Sequence, residues 1–132
     1  MQDLDHVQFD REWTKLGVNI CQAIYSDPKT QELKKALKEK GYLTLEEKSQ
    51  FIDISDQIKY RMIYEAYGEE GSEGYGKFVK DWNNWFQTKG VSSTDHRGQR
   101  NSVDHILFGS TPDPEQFLLH FEHEMMGSMP RQ

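Results

Sequence analysis

The chain has 132 residues, a formal charge of −6 and 12% aromatic residues; at this length a single domain over residues 1–132 buries roughly two thirds of its unfolded surface. That aromatic volume excludes a disordered composition, and the acidic balance argues against direct nucleic-acid binding, because such binding uses clustered Lys and Arg to displace counterions. No apolar run approaches the roughly 18 residues of a membrane helix, and the opening "MQDLDHVQFD" lacks the basic and apolar parts of a signal peptide.

Cys21 has no second cysteine to pair with. It fits a reducing compartment, so an intracellular, cytoplasmic protein with no membrane partner is expected, the thiol lying partly buried in a helix.

Phe9, Trp13, Leu16, Ile20 and Ile24 recur at steps of four and three. That spacing predicts an α-helix over residues 9–25 with all five on one arc. Asp27-Pro28 reads as an N-cap with proline at the first helical position, and Gly41 as a left-handed stop, so "KTQELKKALKEK" forms a short basic helix docked by Leu33, Ala36 and Leu37.

Thr44 and Glu47 match a capping box, opening a third helix. Its apolar stripe is Phe51, Ile54, Ile58, Met62 and Ala66, widened by Ile52 and Ile63, which predicts a central helix with two neighbours. The four glycines and three glutamates of "GEEGSEGYG" predict a mobile linker over 68–76. Tyr75, Phe78, Val79, Trp82 and Phe86 then mark a fourth helix with Trp85 at its flank and Gly90 near its end.

Between 91 and 111 the pattern predicts irregular structure, and "SVDHILFG" is too short to assign by periodicity. Asp113-Pro114 caps the last helix, whose stripe is Phe117, Phe121 and Met125 and whose stop is Gly127. The fold class is all-α: a compact single-domain bundle of about five helices with an irregular loop before the last.

Chemistry-bearing residues gather in two places. His120, His123 and Glu124 stand at helical spacing for a metal, with His96 and His105 as further donors, but no H-E-x-x-H motif accompanies them and the wheel turns both histidines of the last helix toward solvent. The stretch "TDHRGQRNSVDH" offers Asp-His pairs beside Ser92, Ser93, Thr94 and Ser102 for a hydrolytic reading, but no defined nucleophile.

Lys89, Arg97 and Arg100 gather positive charge suited to a carboxylate or phosphate partner. Residues 46–73 hold eight acids against three basic residues. Glu46 and Asp53 are candidates there for partner contact, and Glu46, Glu47, Asp53 and Asp56 for nucleic-acid mimicry, with Lys48 and Lys59 interrupting the acidic pattern.

Elimination favours a non-enzymatic protein-binding regulator, inhibitor or immunity-type factor, with another protein as partner. The alternative is a metal-dependent or hydrolytic enzyme using the His/Asp cluster, and the third reading is a nucleic-acid mimic or binder. No motif implies a cofactor, and nothing in the sequence sets the oligomeric state.

Overall fold

The computed structural model describes the backbone of residues 2–94 and 102–128, with side chains from 7 to 88 and from 102 to 123. Every element in these segments is helical: α1 (Gln2–Ser26), α2 (Pro28–Lys40), α3 (Leu45–Tyr67), α4 (Glu73–Thr94), α5 (Ser102–Leu107) and α6 (Pro114–Ser128). Local chemistry sets most of the boundaries. Asp27 Oδ1 accepts from the Lys29 amide at 2.9 Å, and Gly41, at φ 85°, closes α2 by donating its amide to the Leu37 carbonyl.

Thr44 and Glu47 exchange both bonds of the capping box, at 3.1 and 2.9 Å, and Asp113 accepts from the Gln116 amide at 3.0 Å. The α2–α3 corner is held to α6 by Glu115, which accepts from the Leu43 amide at 2.8 Å.

The all-α bundle is assembled around α1, which packs against α2, α3, α4 and α5, while α6 closes the far side against α2, α3 and α5. Trp13, Ile20, Cys21, Ile24, Phe51, Phe117 and Leu118 are fully or almost fully buried in one cluster. Each large apolar side chain among them contributes about 1.5–3 kcal/mol of burial. Leu16, expected in the stripe, is only half-buried. Gly17 is buried instead and lets α5 approach α1: a Cβ built there lies 2.5 Å from Leu107 Cδ2.

Five further expectations are corrected. The expected linker over 68–76 is a tight corner of five residues, because α4 already begins at Glu73. Gly68 and Gly71 take positive φ, Ser72 Oγ accepts from the Tyr75 amide at 3.2 Å, and Gly74 comes so close to the Tyr67 carbonyl that a Cβ would sit 2.0 Å from its oxygen.

On α4 the buried residues among those described are Phe78 and Trp85, while Val79 and Phe86 are exposed. Trp85 is drawn inward because its Nε1 donates to Asp10 Oδ1 of α1 at 2.7 Å and its ring meets Phe108. On α3, Ser55 and Lys59 are buried while Ile52 and Ala66 are exposed. Finally, part of the expected irregular region is ordered as α5, and Gly127 lies inside α6 instead of stopping it, while Gly90 lies near the end of α4 as expected.

Candidate functional site

The corner at 68–72 brings α4 against α3, and residues of α1, α3, α4 and α5 line a cavity of about 200 Å³. Its aromatic walls are Trp13, Tyr60, Tyr75, Phe78 and Trp82, and aliphatic surface comes from Ile63, Val79 and Ile106. Two features hold the wall from α4 in place: Trp82 Nε1 donates to the Leu107 carbonyl at 2.9 Å, and its ring edge rests over Gly109, whose φ of 85° closes α5. Tyr64 stands next to the lining residues Tyr60 and Tyr75, with ring centroids 6.1 and 5.7 Å away, and donates to Glu70 at 3.2 Å. Burial, followed by the Glu70 charge, pushes the Tyr64 and Tyr75 phenols above their ordinary value.

Lys59 is the one charged residue lining this cavity among the described residues. Its side chain is 9% exposed, and its ammonium lies 4.9 Å from the centroid of the Tyr60 ring. The nearest carboxylate oxygen, Asp56 Oδ1, is 3.9 Å away, beyond hydrogen-bonding distance. One turn earlier on the same face, the buried Ser55 hydroxyl has no hydrogen-bond partner among the described residues. Sequence reasoning places Lys59 on the acidic surface, since lysine is rarely buried. The signal for its true place is the step of four, 55–59–63, which sets it between Ser55 and Ile63 on the inward face.

A second cleft, of about 360 Å³, opens between α1, the end of α3 and the start of α4, where Glu12, Lys77 and Asp81 surround Tyr67. Lys77 pairs with Asp81 at 3.6 Å. Burial, with the charges of Glu12 and Asp81, pushes the Tyr67 phenol up to about 12.

The outer face of α3 carries Glu46, Asp53 and Tyr60 at steps of seven, all exposed. Beside them Leu45 and Ile52, also seven apart, are 85% and 41% exposed, and Tyr42 is 55% exposed at the preceding corner. With Lys59 turned inward, this acidic face carries one fewer cation than its sequence suggests. Arg97, Arg100 and His96 lie outside the described residues, as does the Lys89 side chain.

His120 and His123 are exposed on α6, and the Glu124 side chain is outside the described residues. Among the described residues no three His, Cys, Asp or Glu side chains gather as a metal-binding group. His105 Nδ1 lies 3.0 Å from Ser110 Oγ, which donates to the His105 carbonyl, and Ser102 is buried. No described helix is long and apolar enough to cross a membrane. No family model, curated protein or solved structure matches this chain.

Proposed function

We propose that this chain is a non-enzymatic protein-binding module of the regulator, inhibitor or immunity type, and that the outer face of α3 is its contact surface. The observation that supports this reading is the exposure of Leu45 and Ile52 on a face shared with the carboxylates of Glu46 and Asp53. Two large aliphatic side chains left in water gain by being covered, and a charged margin gives a contact its orientation and partner choice. The partner is a protein presenting an apolar centre flanked by Lys or Arg. Lys89, Arg97 and Arg100 form a second contact set for an acidic patch of that partner.

Affinity capture from native lysate with wild type and three double variants tests this. Leu45→Ser with Ile52→Ser, and Glu46→Lys with Asp53→Lys, are expected to lose a partner that wild type retains, with stability unchanged within about 0.5 kcal/mol. The charge-reversed protein is expected to lose most at low salt, where screening is weakest. Arg97→Glu with Arg100→Glu tests the second set. A partner captured equally by wild type and both α3 variants overturns the assignment to α3.

A further inference from the structure

We propose that the cavity between α3, α4 and α5 binds a small carboxylic acid with an apolar ring or tail, the carboxylate paired with the Lys59 ammonium. This site meets the outer face of α3 only at Tyr60 and does not depend on the protein-binding reading. The first support is shape and surface. Trp13, Ile63, Phe78, Trp82 and Ile106 offer ring faces and aliphatic surface around about 200 Å³, and a dry cavity of about 150 Å³ already holds a benzene ring. There is room for one aromatic ring with a short chain, or for a medium-length aliphatic chain.

The second support is Lys59 itself. An ammonium has three donors, and taking it out of water is costly unless those donors are matched. The Lys59 side chain is nine-tenths buried, its ammonium keeping some contact with solvent, and it makes no hydrogen bond to a described residue, with Asp56 standing off at 3.9 Å. The Tyr60 ring face offsets part of the cost through its quadrupole. A carboxylate brought in by the ligand supplies the missing acceptor beside an apolar surface, and a hydrogen bond between two charged groups is about twice as strong as a neutral one.

The same cation disfavours a positively charged ligand among these aromatics, so the site is not a cage for ammonium groups. Asp56 is the competing anion, and its half-exposed position allows it to turn to water when the ligand binds.

The test uses the full chain and four probes: 3-phenylpropionate, octanoate and the neutral amide of each, followed by amide and indole N–H chemical shifts and by Trp fluorescence. At least one acid is expected to bind saturably, shifting the Trp82 indole N–H, with its amide weaker by about tenfold, the worth of one hydrogen bond to a charged group. The ring and chain arms separate an aromatic acid from a fatty acid as the natural class. Lys59→Met is expected to reduce acid binding to the level of the amide and leave amide binding unchanged, and Asp56→Asn to strengthen acid binding several-fold.

Acid and amide binding equally to wild type, no saturable binding of either acid, or shifts confined to residues away from the cavity would each overturn the proposal. The comparison of acid with amide is made on wild type, so it holds whether or not Lys59→Met folds.

Discussion

Trp13 and Trp82 donate their indole N–H groups to the same acceptor, the carbonyl oxygen of Leu107, at 3.2 and 2.9 Å. Leu107 ends α5, and a helix leaves its last carbonyls without intrahelical donors. Two tryptophans from α1 and α4 meet that need, fixing the short helix beneath the cavity. A carbonyl has two lone pairs, so either donor alone keeps it satisfied. Trp13→Phe and Trp82→Phe are therefore expected to be coupled: the double variant loses about 1 kcal/mol more than the sum of the singles, because only it leaves the oxygen bare. Denaturant midpoints of the four proteins measure this, and simple additivity would show that the acceptor is not shared in solution.

Gly17 and Gly76 make a matched pair of opposite sign. Both lie inside helices, where alanine is intrinsically better by up to about 1 kcal/mol. At Gly17 the new Cβ meets Leu107 Cδ2 at 2.5 Å and Cγ at 3.0 Å, and Leu107 is itself buried; at Gly76 it meets nothing within 4 Å. Gly17→Ala is expected to destabilise by about 1–2 kcal/mol through overpacking. Gly76→Ala is expected to stabilise by about 0.5–1 kcal/mol. Thermal melts of both distinguish close packing of α5 on α1 from a loose contact.

Thr30 and Ser55 carry buried hydroxyl oxygens with no hydrogen-bond partner among the described residues. Removing an unsatisfied polar group relieves a desolvation cost, so Ser55→Ala is expected to raise stability by about 1 kcal/mol, and Thr30→Val to act in the same direction. A fall in stability on Ser55→Ala would show instead that the hydroxyl holds an internal water.

Alkaline pH probes the corner between α3 and α4. The Tyr67 phenol, at 10.0 when exposed, is pushed up to about 12, first by burial and then by the Glu12 and Asp81 charges. The folded protein therefore holds this proton where the unfolded chain has released it. Stability is fully retained below pH 10 and falls as pH rises toward 12. Tyr64 and Tyr75 shift in the same direction, so Tyr67→Phe is expected to flatten the decline without abolishing it. Unfolding midpoints across this range, with phenolate absorbance as the monitor, check the sign and the size.

Where the sequence by itself determined the protein, the determinants are neighbours in the chain. Asp27-Pro28, Thr44 with Glu47, and Asp113-Pro114 set three helix starts, because a cap needs only groups within one turn. The exposure of Glu46 and Asp53 was legible for the same reason, since helical spacing places residues seven apart on one face.

The tertiary structure decided what depends on partners distant in sequence. Trp85 rather than Phe86 turns inward because Asp10 is there to accept its indole N–H. Gly74 fits the first turn of α4 because the Tyr67 carbonyl is against it. Lys59 enters the interior because residues of α4 and α5 close a cavity around it and the Tyr60 ring meets its charge. A periodic pattern gives the angle of a side chain around its own helix, but burial and charge pairing are settled by which other helix arrives at that angle.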